Sequence, residues 1–161
     1  MRVVDLRAAF AFFALLAAGC GGSDKPVEPE LDLVPVTGVV TLNGQALADA
    51  EISFLFDGKP PEGFVASGAK TDSSGKFIVM TGSKSGTVPG RYKVTISQFR
   101  MPDGSPVKED SDSGLDMEML RQGGQLKQMV PDRYSNPGST ELSAAVADSD
   151  KNELEFKLSG S

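Results

Sequence analysis

The stretch Arg91-Tyr92-Lys93-Val94-Thr95-Ile96-Ser97 decides the fold class. Tyr92, Val94 and Ile96 alternate with Lys93, Thr95 and Ser97, so one face is apolar and the other polar. A two-residue period puts successive side chains on opposite faces of a half-buried strand, which this reading extends over residues 91–99. The same alternation recurs on both sides of it. Toward the C-terminus, Leu142, Ala144 and Val146 alternate with Ser143, Ala145 and Ala147, then Leu154, Phe156 and Leu158 alternate with Glu153, Glu155 and Lys157. Asp148-Ser149-Asp150-Lys151 is the turn between these two strands. Toward the N-terminus, residues 77–81 form a short apolar strand, and 64–70 another that Gly68 interrupts. In residues 50–56, Ile52, Phe54 and Phe56 share a face, and Leu55 breaks the alternation, as at a bulge or beneath the later excursion.

The remaining strand, 36–42, ends at Asn43-Gly44, the dipeptide best suited to the positive φ angles of a two-residue hairpin turn. Thr71-Asp72-Ser73-Ser74-Gly75 is a second turn, with an Asp to cap local amides and a Gly to take positive φ. Seven strands with no helical crossover between them imply an all-β protein, a mainly antiparallel sandwich. Phe54, Phe56, Phe77, Tyr92 and Phe156 lie at strand spacing and belong to its core.

Residues 100–133 are too long for an ordinary connection. They carry Glu109, Asp110, Asp112, Asp116 and Glu118, then Leu115, Met119 and Leu120 as one face of a short helix that Gly123-Gly124 ends. Residues 125–130 add a further turn. This partly helical excursion is the candidate contact surface, because functional contacts concentrate on long loops held by a rigid scaffold.

The first nineteen residues read as an export signal. Arg2 and Arg7 precede the uninterrupted apolar run of residues 8–18. Eleven helical residues span about 17 Å, well short of a hydrocarbon core of about 30 Å, so the run is a signal h-region and not a membrane span. It ends in Leu15-Leu16-Ala17-Ala18-Gly19-Cys20. These residues resemble the bacterial lipoprotein signal, in which small residues directly precede an invariant cysteine. Ala17 stands where that signal prefers Leu. The resemblance implies that Cys20 becomes the lipid-bearing first residue of the mature chain and that the membrane is its first partner. Each acyl CH₂ contributes about 0.8 kcal/mol and one chain binds only reversibly, so two or more chains are needed for lasting attachment. Gly21 follows in place of the Asp linked in some bacteria to inner-membrane retention, which by analogy prefers the outer membrane, with the body on its periplasmic or cell-surface face. Residues 20–35 then form the lipidated Cys and a Gly/Pro-rich tether, 36–158 the sandwich domain, and 159–161 a tail.

Composition excludes several functions. The chain has 161 residues, no His and one Cys, so it lacks the parts for a Ser-His-Asp or Cys-His relay, a His-ligated zinc or an internal disulfide. A net charge of -6 argues against nucleic acid as a partner. Asp110-Ser111-Asp112-Ser113-Gly114 opens like a calcium loop, but Leu115 and Arg121 stand where Gly and a bidentate Glu are required. Asp148-Ser149-Asp150 fails likewise, with Glu153 and Ser159 at those places. The expectation is no metal and no cofactor beyond the covalent lipid on Cys20.

The order of the motifs Val36-Thr37-Gly38-Val39-Val40, Asn43-Gly44, Thr71-Asp72-Ser73-Ser74-Gly75, Val88-Pro89-Gly90-Arg91-Tyr92 and Pro131-Asp132-Arg133-Tyr134, behind a lipoprotein signal, carries a second resemblance. It is similar to small bacterial lipoproteins, abundant in planctomycetes, with a carboxypeptidase-regulatory-like, transthyretin-type domain. The resemblance implies a seven-stranded Greek-key sandwich without catalytic residues. The expected function is therefore a non-enzymatic, membrane-anchored envelope module that contacts an envelope protein or polysaccharide. The alternative is a carbohydrate- or peptide-binding module, for which Tyr134 and Phe99 are the candidate exposed aromatics.

Overall fold

Strand β1 (Val36–Leu42) occupies the stretch expected of it, with Val36 and Val40 fully buried. The computed structural model describes residues 31–107 and 117–160. Asn43 and Gly44 take φ angles of 53° and 80°, which turns the chain back into β2 (Gln45–Ala46) with Leu42 opposite Gln45. Asn43 tolerates the left-handed region and Gly44 enters it freely, so the hairpin is encoded by those two residues. Two more strands border β1. Along its whole length runs β12 (Asn152–Leu158), and beside β2 lies β5 (Lys76–Ile78), pairing Thr37 with Ile78.

The second sheet is ordered β11-β8-β3-β4-β6-β7. Its members are β3 (Glu51–Phe56), β4 (Ser67–Lys70), β6 (Met80–Thr81), β7 (Lys84–Ser85), β8 (Gly90–Ser97) and β11 (Ser143–Val146). All pairs here are antiparallel. The protein is thus an all-β, mostly antiparallel, sandwich-like fold. The short pair β9 (Phe99–Arg100) and β10 (Lys127–Gln128) stands apart from both sheets, and the helices α1 (Met117–Gln122) and α2 (Asp132–Ser135) complete the described elements.

Aromatic rings join the layers. Phe156 stacks on Phe77 with centroids 6.1 Å apart, Phe77 meets Phe54 at 6.5 Å, and Tyr92 meets the edges of Phe54 and Phe56 at 5.8 and 5.1 Å. Tilted and edge-on pairs add about 0.5–1.5 kcal/mol each to the burial of their area. Tyr92 is 1% exposed, so burial pushes its phenol pKa up, while its hydroxyl donates to the Val88 carbonyl at 2.6 Å and shares a hydrogen bond with Thr87. This reach to the backbone four residues upstream has the form of a tyrosine corner.

Five expectations need correction. First, β1 and β12 are parallel, because residues 147–151 do not close a hairpin but carry the chain from β11 in one sheet to β12 in the other. The Asn152 side chain fixes that crossing: it accepts from the Ala147 N–H and donates to the carbonyls of Ala147, Ser149 and Pro35. Second, residues 77–81 are not one strand. Val79, fully buried, donates its N–H to Val36 and separates β5 in one sheet from β6 in the other, which seams the layers along that side. Third, Leu55 pairs with Lys93 in unbroken register, so there is no bulge. Fourth, residues 64–66 precede β4 in place of belonging to it; after Gly63 (φ 79°), Phe64 turns inward onto Phe56 while Val65 stays 70% exposed. Fifth, residues 125–130 hold β10 in place of a helical turn. Twelve strands occur among the described residues, five of them only two residues long, against the seven expected.

The pairing also gives the body two ends. Val36, Asn152, Gly90 and Phe56 lie at one end with the segments 31–35, 57–66, 82–89 and 147–151. Asn43, Leu158, Ser97 and Glu51 lie at the other, from which β9, β10 and α1 emerge. The eight residues of β8 separate the ends by roughly 26 Å.

Gly38 decides how closely the first sheet packs. A Cβ there would strike the Leu154 carbonyl and the Phe77 ring. Gly38→Ala is therefore expected to destabilise the fold by about 1–3 kcal/mol, read as a lower urea midpoint with an unchanged slope. In the turn before β5, the Asp72 carboxylate accepts from the Ser74 hydroxyl and from the amides of Ser74 and Lys76. The Ser74 side-chain hydrogen bond, then the Lys76 amide, holds its pKa below the usual carboxylate value. Its contribution to stability is complete above the unfolded pKa of about 3.9 and is lost as pH falls through the lowered folded value. Asp72→Asn should then melt below wild type at neutral pH and converge on it in acid; a constant gap down to the acid limit would contradict this.

Candidate functional site

Cys20, the expected lipidation site, lies outside the described residues together with the rest of 1–30, and so does the Asp110–Asp112 candidate calcium loop. The structure does describe where the tether meets the body. Residues 31–35, expected to be solvated spacer, are docked. Val34 is buried and exchanges both backbone hydrogen bonds with Thr87, at 2.9 and 3.1 Å, while Leu31 and Leu33 pack partly buried against the core. Polar composition suggested a free chain, but three apolar residues in four positions outweigh it. Together with Gly63, Val65 and Lys84, Leu31 and Leu33 line an open groove of about 400 Å³.

At the far end, the excursion is anchored by side-chain amides. Gln98 donates to the Ala48 carbonyl, and Gln128 accepts from the amides of Gln98 and Val130. Helix α1 ends as expected at Gly123-Gly124, where Gly124 takes a φ of 66° and the amides of both glycines return to the last turn. Met119 and Leu120 do not share a face: Met119 is 72% exposed and Leu120 is buried. Arg121 lies over the Phe99 ring with its guanidinium carbon 4.4 Å from the centroid, and Phe99 is half-buried. Between Glu51, Lys70, Phe99, Arg100 and Val107 there is a cavity of about 70 Å³. Small-molecule sites run to roughly 300 Å³ or more, so this space suits a few waters and no organic ligand.

Tyr134 was expected as an exposed aromatic, and it is not one. Tyr134 sits in α2, 7% exposed, with its hydroxyl 3.3 Å from the Ser159 hydroxyl and its ring 4.9 Å from the Arg133 guanidinium. Hydrogen bonding from Arg133, then from Ser159, holds its phenol pKa below the ordinary value. A two-ring platform of Tyr134 and Phe99 is therefore not formed. Sequence reasoning missed a different surface. Ile78 (58% exposed) and Met80, with Phe77, Lys76 and Asp72, line an open groove of about 570 Å³ where β4 and β5 splay into separate sheets. Its only sequence signal was Ile78 and Met80, both pointing away from the core within an apolar run.

Among the described residues, no three His, Cys, Asp or Glu side chains gather as metal ligands, and no helix is long and apolar enough to cross a membrane. Comparison with protein-family models finds no match, and comparisons with curated proteins and with solved structures find none either.

Docking of the tether is open to test. Burying a valine side chain stabilises by roughly 1.5–3 kcal/mol, and two backbone hydrogen bonds are lost with it. A chain that begins at Val36 should melt several degrees below one that begins at Leu31 in thermal unfolding followed by circular dichroism.

Proposed function

We propose that the chain is a non-enzymatic lipoprotein of a bacterial envelope, anchored through lipid on Cys20, in which the sandwich serves as an interaction module. The observation that carries this reading is the single Cys, placed after Ala18-Gly19 at the close of an apolar run too short to span a bilayer. The docked segment 31–35 supports it. Between Cys20 and the body only ten residues remain, enough to link a bilayer to the fold without freeing the fold from it.

The finer reading is that the body belongs with the carboxypeptidase-regulatory-like, transthyretin-type lipoproteins and follows a seven-stranded Greek-key plan. Its support is the order of the motifs quoted above and an all-β body whose longer strands, β1, β3, β4, β5, β8, β11 and β12, each overlap one of the seven expected stretches. The contact surface of the module is the described part of the excursion, residues 100–107 and 117–133, where Met119 and Met129 stand exposed and Arg121 lies over Phe99. An envelope protein suits this surface better than a polysaccharide, since flexible thioethers adapt to apolar partners and its described residues form no two-ring stacking platform.

Cys20→Ser tests the anchor. The wild-type chain is expected in the membrane fraction with a diacylglyceryl mass on its first residue, and the variant in the soluble fraction. An unmodified Cys20, or a variant that stays on the membrane, would refute the reading.

A further inference from the structure

The two ends of the sandwich differ in what they can meet, and the tether decides which of them meets the bilayer. The first described residues of the tether pack at the end that holds Leu31, Leu33 and Val65. Eleven peptide steps lead from Cys20 to Leu31. Such a chain has a mean reach of about 18 Å and a limit of about 38 Å. To lay the opposite end on the bilayer, it would also have to span the body, roughly 26 Å along β8, and so be drawn well past its mean reach.

Side chains at the near end suit that neighbour. Val65 is 70% exposed and stands beside the half-buried Leu31 and Leu33 in the groove, an apolar cluster that water covers poorly. Around the cluster, Asp32, Asp57, Glu62, Asp148 and Asp150 outnumber Lys59, Lys84 and Lys151, so this end is slightly acidic, with the exposed Asp32 between the two leucines. Contact there is therefore apolar and owes little to anionic headgroups.

Resting on the anchor reading above, we propose that the Leu31–Leu33–Val65 end is a membrane-facing surface that seats on the phospholipid bilayer holding Cys20. The sandwich then stands upright, and β9, β10 and α1 point away from the lipid toward the envelope space.

Single cysteines at the exposed Val65 and Met119 (Val65→Cys, Met119→Cys) permit a direct test, since lipidation consumes the thiol of Cys20. The full-length lipidated chains, carrying a fluorescent label at either site, are reconstituted into phosphatidylcholine vesicles that contain a nitroxide-bearing lipid. Flotation of the vesicles reads the anchor, and quenching reads the orientation. The expected result is flotation of both proteins, loss of most fluorescence at residue 65, little loss at residue 119, and no change with added salt. Flotation with equal quenching at both sites, or stronger quenching at residue 119, would overturn the upright arrangement alone. Failure to float would overturn the anchor and the arrangement together.

Discussion

Strand β1 carries every lateral pairing in its sheet. Its seven residues face β12 on one side and share the other between β5 and β2. The same strand supplies the inward valines Val36 and Val40, and its first residue accepts the amide of Val79, where the chain passes between layers. Gly38 at its middle lets the Phe77 ring cross the strand and stack on Phe156. Remove the close approach at that one residue and two neighbouring strands must move apart together.

A chain of rings joins sheet to sheet among the buried valines, isoleucines and leucines. Phe156, Phe77, Phe54, Tyr92 and Phe56 run in contact from one layer into the other. Among the described residues, buried polar side-chain atoms enter this core with partners. Thr87, Ser67 and Tyr92 satisfy one another at the near end, and Thr71 ties Ala50 to Leu47 at the far end. Each such bond contributes about 1 kcal/mol when made, and leaving one partner buried and bare costs more, so these residues fix alignment as much as stability.

Local chemistry was legible in the sequence, and long-range partnership was not. Asn43-Gly44, Asp72 with Gly75, and Gly123-Gly124 each state their own conformation, because φ preference and short side-chain hydrogen bonds act within a few residues. The alternation of β8 and β12 fixes which side chains turn inward, but not which strand lies alongside, and so the parallel pairing stayed hidden. An apolar run such as 77–81 has no period to reveal that Val79 divides it between sheets. Composition misread residues 31–35, where Val34 is claimed by Thr87, and misread Tyr134, whose burial depends on Ser159 and Arg133. Of the candidate site, the excursion and its helix end were legible, whereas the groove at Ile78 arises only from the splay of two strands distant from any motif.

The side-chain amide of Asn152 grips the carbonyl of Pro35 across 117 residues of sequence, and β12 follows it along the whole of β1. The chain must therefore be made through residue 158 before β1 gains the neighbour that completes it. Pairings of such high contact order form late, since the entropy of closing the loop is spent before any bond returns it. In this topology the N-terminal strand is completed by the last one, so the first sheet closes only after the second has its central strands in place.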